Sequence, residues 1–161
     1  MRSDSDIIAA LANAPDRLQA IVAMLGPKGL VWSPAADEWS ARALIDHIMA
    51  SDRVLVPRIL LILTRPEAPL TMIDERLLAA VTARARLSLA VQLRRFTAGR
   101  AELIGILRTL TSAEWESVGL HEQSGPMSVR VIARHTAVHE LEHIAELERI
   151  AIAFRAQLAE L

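Results

Sequence analysis

The segment from Ser128 to about Leu158 constrains the fold most, because its apolar residues recur at the spacing of an α-helix. At roughly 100° per residue, seven residues fall near one line along this helix: Ile132, Thr136, His139, His143, Leu147, Ile150 and Phe154. The opposite side is predicted to face solvent and carries Arg134, Glu140, Glu148 and Arg155. One stripe of a long helix must therefore be buried, and two histidines lie in the middle of that stripe.

The same periodicity predicts three other long helices. They run from Asp4 to Leu25, from Ser40 to about Thr64, and from near Asp74 to Leu110. Pro15 is expected to kink or break the first helix, and the third has a candidate break near Arg84–Ser88. Short connections between four such helices favour antiparallel neighbours in a four-helix bundle. The predicted fold class is all-α, with a single domain over residues 1–161.

Two segments between the helices are predicted to be loops. Gly26-Pro27 ends the first helix, and Lys28–Trp39 follows with few periodic residues. Gly119–Met127 is polar and contains a Gly-Pro pair. We find no strand pattern in the sequence, so no sheet is expected.

Serine and threonine stand where helices are predicted to begin. Ser40 is suited to be the N-cap of the second helix, and Ser128 that of the last one. Thr111 and Glu114 have the spacing of a capping box, which predicts a short helix through Trp115.

Composition excludes several classes of protein. The net charge is −1 with Lys and Arg spread along the chain, so nucleic-acid binding is not expected. The most apolar stretch, Val54–Leu63, is interrupted by Pro57 and Arg58 and is too short to span a bilayer. Without a leader pattern at the N-terminus, we expect a cytoplasmic protein that does not bind membranes. Because the chain has no Cys, a transition-metal site would have to use imidazole and carboxylate ligands.

The two histidines of the core stripe require polar partners, because an unpaired imidazole is costly to bury. His47 has a comparable place on the second helix, so a third imidazole can approach from a facing helix. We therefore predict a divalent-metal site formed by His47, His139 and His143, with an open position for water or substrate. In the alternative interpretation each is an ordinary core histidine bonded to a carbonyl or carboxylate. His135 is expected either to contact a metal ligand without binding the metal or to lie at the surface, and His121 is expected to be exposed to solvent.

The string from His139 to His143 also fits two zinc-peptidase patterns, H-E-x-x-H and H-x-x-E-H. A peptidase would use Glu140 or Glu142 as general base. We rank this interpretation low, because only Glu160 lies far enough downstream to be a third ligand.

Two arginines are predicted to need an oppositely charged partner, and one apolar helix surface is predicted to need covering. Arg100 falls on the apolar face of the third helix and Arg58 on the His47 side of the second. Each is expected to form a structural salt bridge or to contact a substrate carboxylate. The second helix carries further apolar residues off the His47 face, namely Ile45, Val56, Ile59, Leu60 and Leu63. A homodimer interface would bury them, as would the loop at residues 66–73.

With these residues placed, the chain resembles the DinB/YfiT-like superfamily of metal-dependent proteins over nearly its full length. The resemblance rests on four segments in order: Trp39-Ser40, Leu44–Ile48, Phe96 to Arg100, and His135–Ile144. It implies an up-down-down-up four-helix bundle, commonly dimeric, with nickel or zinc held by His47, His139 and His143. It also implies an activity, since relatives include S-transferases and isomerases that depend on low-molecular-weight thiols such as bacillithiol or mycothiol.

Three functions follow as hypotheses. The first is a metal-dependent S-transferase that joins a thiol cosubstrate to a small-molecule electrophile. The second is a non-catalytic stress-response or ligand-binding bundle in which the metal is structural or absent. The third is a metal-dependent hydrolase in which Glu140 serves as general base.

Overall fold

The computed structural model describes residues 3–159, without the side chains of residues 75, 79, 82 and 83. Six helices are found in this part of the chain: α1 Asp4–Val31, α2 Ala41–Thr64, α3 Glu75–Ala83, α4 Leu89–Leu107, α5 Ser112–Trp115 and α6 Val129–Ala159. Three short strands accompany them: β1 Pro69–Leu70, β2 Val118–His121 and β3 Gly125–Ser128. Helices α1, α2, α4 and α6 form the bundle.

Two clusters of buried apolar side chains fix the directions of these four helices. One cluster joins the first halves of α2 and α4 to the later parts of α1 and α6. The other joins the second halves of α2 and α4 to the beginnings of α1 and α6. Helices α1 and α6 therefore run parallel to each other, and α2 and α4 run in the opposite direction. The up-down-down-up four-helix bundle is confirmed.

The first helix differs from its prediction at both candidate interruptions. Pro15 is buried and α1 continues through it, so the expected break at this position is wrong. The interruption comes instead at Gly26, whose φ of 60° and ψ of −176° suit glycine far better than any residue with a Cβ. Helical residues resume after this kink and end at Val31, so the predicted loop begins at Trp32 instead of Lys28.

The predicted third helix is two helices. Residues 84–88 separate α3 from α4, and the Ser88 hydroxyl accepts a hydrogen bond from the Val91 amide at the start of α4. The expected break is confirmed, and α4 ends at Leu107 instead of Leu110.

The predicted helix caps are confirmed. The Ser40 hydroxyl accepts a hydrogen bond from the Ala43 amide, and Ser128 Oγ accepts one from the Val131 amide at 3.2 Å. Thr111 and Glu114 form a reciprocal capping box at the start of α5. These bonds pair amide groups that would otherwise lack partners in a first helical turn.

A small sheet replaces the loop that was predicted for Gly119–Met127. Strand β2 pairs with β1 in parallel and with β3 in antiparallel orientation. Gly119 is required for this packing, because a Cβ there would lie 2.9 Å from side-chain atoms of Ile62 and Leu70. The strands escaped prediction because β1 has only two residues and pairs with a strand about 50 positions later in the chain.

Much of the apolar surface of α2 is buried within the chain. Ile45 and Ile59 are buried, and Ile62 packs beneath the sheet at Gly119. Leu60 and Leu61 remain exposed. The segment around β1 therefore covers part of the surface that a homodimer was expected to cover, and the homodimer stays a prediction.

Among residues 3–159, no helix combines the length and the apolar character that crossing a membrane requires.

Candidate metal centre

The three predicted ligands come from two helices of the bundle core. His47 lies in the second turn of α2, between the buried Leu44 and Ile48. His139 and His143 lie one turn apart in the middle of α6, where Ile144 is buried beside them. Because α2 and α6 pack side by side, the imidazoles of both helices reach the same region.

The three imidazoles approach one another through the same ring atom. His139 Nε2 lies 3.0 Å from His47 Nε2 and 3.1 Å from His143 Nε2. Two nitrogens on a tetrahedral zinc ion would be about 3.3 Å apart, since zinc–nitrogen bonds are about 2.0–2.1 Å long. One ligand atom from each of these residues lies within 4.8 Å of the other two. The three rings therefore have the spacing of a set of metal ligands.

Hydrogen bonding favours nitrogen lone pairs that point into this triad. His143 Nδ1 lies 3.3 Å from a carboxylate oxygen of Glu146, so a proton on Nδ1 leaves Nε2 as an acceptor. A neutral imidazole offers one in-plane lone pair or one N–H at Nε2, so His139 Nε2 cannot satisfy two imidazole neighbours equally well. A shared cation would satisfy all three nitrogens.

The triad is half-buried, and its electrostatics favour a neutral His139. Burial, together with His143, His47 and His135, lowers the pKa of His139 to about 4. His139 is therefore neutral at pH 7, which is the form that binds metals. The side chain of His143 retains 22% of its exposure, so solvent reaches the triad. The exposed Trp39 packs its ring against His47 with 5.2 Å between ring centroids.

Two other candidates lie outside the triad. His135 is exposed, and its ring stacks on that of His139 with 6.0 Å between centroids, so it lies at the rim of the site. Arg58 donates a hydrogen bond to the Thr71 carbonyl at 2.7 Å and so ties α2 to the segment after β1. The partner that the structure gives Arg58 is therefore a backbone carbonyl near the sheet.

Arg100 and Glu140 meet in a buried ion cluster beside the triad. Arg100 is 1% exposed and Glu140 is 2% exposed. Arg100 Nη1 donates to one carboxylate oxygen of Glu140 at 2.9 Å, while Nη2 donates to the other oxygen and to Asp52 at 2.6 Å. For Arg100, the salt-bridge prediction is confirmed. The prediction that Glu140 faces solvent is wrong, because its side chain is buried in the bundle and both of its oxygens bind Arg100 of α4.

Burial and ion pairing oppose each other in this cluster. Burial raises the pKa of Glu140 to about 7, against the attraction of Arg100. Burial likewise raises the pKa of Asp52, again against Arg100. Although burial disfavours a charged guanidinium, Glu140 and Asp52 raise the pKa of Arg100 above its usual value. Arg100 therefore remains a cation.

His121 is buried, so its predicted exposure to solvent is wrong. Its Nδ1 accepts hydrogen bonds from the amides of Gln123 and Ser124, which stabilises the turn between β2 and β3. Sequence reasoning missed Asp52 as a partner of Arg100. The only sequence feature that could have indicated this role is helical spacing, which places Asp52 on the same side of α2 as its buried apolar residues.

A family model of the DinB superfamily matches residues 10–147, which include all three histidines of the triad. The chain belongs to the DinB superfamily. In this DinB-superfamily protein the matched segment covers most of the four long helices and the whole ion cluster. A search of curated proteins gave no sequence match.

Two solved structures share the fold of this DinB-superfamily chain. YfiT from Bacillus subtilis is similar to it with a TM-score of 0.76 at 19% identity, over 92% of this chain and 90% of that one. YfiT is described as a probable metal-dependent hydrolase with an unusual four-helix bundle topology. A DinB-like protein from Bacillus subtilis, YjoA, is similar with a TM-score of 0.62 at 13% identity, over 92% and 91% of the two chains.

Proposed function

We propose that this chain is a metal-dependent enzyme in which His47, His139 and His143 hold one divalent ion, zinc or nickel, that activates the thiol of a small cosubstrate. The reaction we propose is transfer of that thiol to a small electrophile. The observation that carries the proposal is the convergence of three Nε2 atoms at 3.0 and 3.1 Å on a half-exposed face of the bundle.

The donor set fits zinc or nickel. Both ions bind imidazole nitrogen, and the chain has no cysteine that could replace an imidazole with a thiolate. His143 has the outer carboxylate partner that histidine ligands usually have, in Glu146.

Exposure of the triad favours a catalytic site over a structural one. Structural zinc sites use four protein ligands and are closed, whereas catalytic sites use three and leave a position for water or substrate. The triad offers three imidazoles, and the partial exposure of His143 gives a small molecule access.

When bound, the divalent ion would supply Lewis-acid chemistry, lowering the pKa of a thiol that occupies the open position. The chain's own residues would contribute position and shape. Glu146 orients the His143 ring, and Trp39 packs against His47 on one side of the site. His135, at the rim, is placed to contact the substrate. In the transfer, sulfur forms a bond to carbon, the leaving group departs with its electron pair, and the thiol proton passes to solvent.

The position of Glu140 favours a thiol nucleophile over water. A hydrolase with the H-E-x-x-H pattern uses the glutamate after the first histidine as general base. Here both oxygens of that glutamate bind Arg100 in the bundle interior. A free thiol has a pKa of about 8.5 and needs much less activation than water. With no cysteine in the chain, the thiol must come from a cosubstrate.

Activity assays with metal-loaded protein test this proposal. Zinc- and nickel-loaded samples would be incubated with a panel of low-molecular-weight thiols and a chlorinated arene, with chloride release as the readout. We expect a rate that requires both metal and one of the thiols, and that is lost in His139→Ala. Metal binding without a rate for any thiol would instead favour a binding protein with a structural metal.

A metal-dependent hydrolase is the second candidate, and similarity to YfiT favours it. Hydrolysis of ester and amide substrates by the metal-loaded protein, in the absence of any thiol, would distinguish it from the transferase. We expect no such hydrolysis above that of His139→Ala.

A further inference from the structure

The buried cluster of Arg100, Glu140 and Asp52 lies between the two apolar clusters of the bundle. Each of its members falls in the gap between the two sets of core residues on its own helix. It is also next to the metal centre, since Glu140 directly follows His139 on α6 and Asp52 lies five positions after His47 on α2. Both helices that carry metal ligands therefore have a carboxylate in this cluster.

A single guanidinium joins these two carboxylates. Arg100 binds both oxygens of Glu140, and its Nη2 also binds Asp52 at 2.6 Å. The planar guanidinium has a fixed fork of donors, so it sets the distance between the groups it binds more strictly than a lysine ammonium could. The Phe96 ring packs against the guanidinium, with 4.9 Å from its centroid to the central carbon.

Stability alone does not account for the cluster. Taking charges out of water is unfavourable, and buried ion pairs can often be replaced by apolar residues with little loss of stability. The triad, by contrast, depends on the spacing of α2 and α6, because His47 comes from one helix and the other two ligands come from the other. Metal–ligand distances must stay within about 0.2 Å of their preferred values.

We propose that Arg100 is a positioning residue for the metal centre: by binding Glu140 and Asp52 together, it holds α6 against α2 so that the three Nε2 atoms keep the spacing of metal ligands. This inference rests on the proposed function, because it requires that the triad binds a metal. It assigns Arg100 no contact with metal or substrate.

Two variants conserve net charge, so long-range electrostatics cannot explain their effects on metal binding. Arg100→Lys keeps the positive charge but loses the planar set of guanidinium donors that can bind two carboxylates at once. The double variant Arg100→Met with Glu140→Gln removes one charge of each sign, and Asp52 can still reach solvent. The matched control is Arg17→Met with Glu148→Gln, which removes a more exposed Arg–Glu pair between α1 and the same helix α6.

The experiment measures zinc affinity by competition with a chelator, and the visible absorption of Co²⁺ bound to the same proteins. All samples are kept well below their unfolding temperatures. We expect both Arg100 variants to bind zinc roughly 10 to 100 times more weakly than wild type, a loss of the size seen when a group that orients a metal ligand is removed. Their Co²⁺ bands should also change in position or intensity, whereas the control should match wild type in both measurements.

Wild-type affinity and an unchanged Co²⁺ spectrum in folded Arg100 variants would overturn the inference while leaving the proposed metal centre intact. If the double variant does not fold, Arg100→Lys decides the question, because lysine keeps the charge and most of the volume. Failure of the wild-type chain to bind zinc, nickel or Co²⁺ would instead overturn the proposed function, and this inference with it.

Discussion

The histidine triad and the Arg100 cluster are adjacent groups of polar side chains that differ in how their charges are balanced. The cluster is buried and contains its own cation, since Arg100 binds both carboxylates. The triad is half-buried and brings three imidazoles together, with one ligand atom of each histidine within 4.8 Å of the other two. Neighbours on one helix, His139 and Glu140, thus belong to two different kinds of site. The first site contains its own cation, whereas the second is the site that we propose binds an ion from outside.

Removing the internal cation should have the largest effect on stability. In Arg100→Met, Glu140 and Asp52 would be left without their partner, and loss of one member of a buried ion pair costs about 3–5 kcal/mol. Urea denaturation should show this decrease in the free energy of unfolding. The double variant Arg100→Met with Glu140→Gln should recover most of it. Equal stability of wild type and Arg100→Met would show that the cluster is not balanced by Arg100.

Removing a metal ligand should have the opposite pattern, with a large effect on metal binding and a small one on the fold. Zinc binding at structural sites is worth about 10–16 kcal/mol over four ligands, so His47→Ala should weaken zinc binding by on the order of 100 to 1,000 times. Chelator competition measures this change. The metal-free variant should unfold at nearly the same urea concentration as metal-free wild type. A variant that binds zinc as well as wild type would remove His47 from the site.

A smaller effect is expected from the carboxylate beside His143. Glu146→Gln keeps the shape of the side chain and weakens its hold on His143 Nδ1, so zinc affinity should fall about tenfold. Glu142→Gln, which alters an exposed carboxylate on the same helix, is the control. Equal affinities for these two variants would show that Glu146 has no role in orienting the ligand.

The smallest effect is expected where an ion pair is exposed. Arg17 and Glu148 retain 36% and 44% of their side-chain exposure, and surface pairs contribute about 0–1 kcal/mol. Arg17→Met should therefore change the free energy of unfolding by less than Arg100→Met does. A loss as large as that of Arg100→Met would contradict the contrast between buried and exposed pairs.

The sequence predicted the bundle and the three histidines because both depend on helical phase. His139 and His143 are one turn apart within a long apolar stripe, and spacing alone places them together. For Glu140, helical phase gave the wrong prediction, because it placed this residue in solvent. It lies away from the centre of that stripe, yet it is buried, and its partner Arg100 comes from α4, 40 positions earlier in the chain.

The sheet and His121 were missed for a related reason. Strand β2 pairs with the two-residue strand β1, and helices α3 and α4 lie between these strands in the sequence. The local residue pattern therefore could not reveal the pairing. Burial of His121 follows from that sheet and from the amides that bind its Nδ1. Helical phase made the bundle predictable and placed His47 and His139 on faces that could meet, whereas the sheet and the Arg100–Glu140 pair depend on contacts that phase does not reveal.

Elemental analysis of the native protein beside His139→Ala tests the central claim most directly. Both proteins would be purified without added metal or chelator and measured for zinc, nickel, copper and iron. We expect about one divalent ion per wild-type chain and almost none in the variant, with both proteins folded as judged by circular dichroism. Equal metal content in the two proteins, or no metal in wild type even after incubation with zinc or nickel, would contradict it.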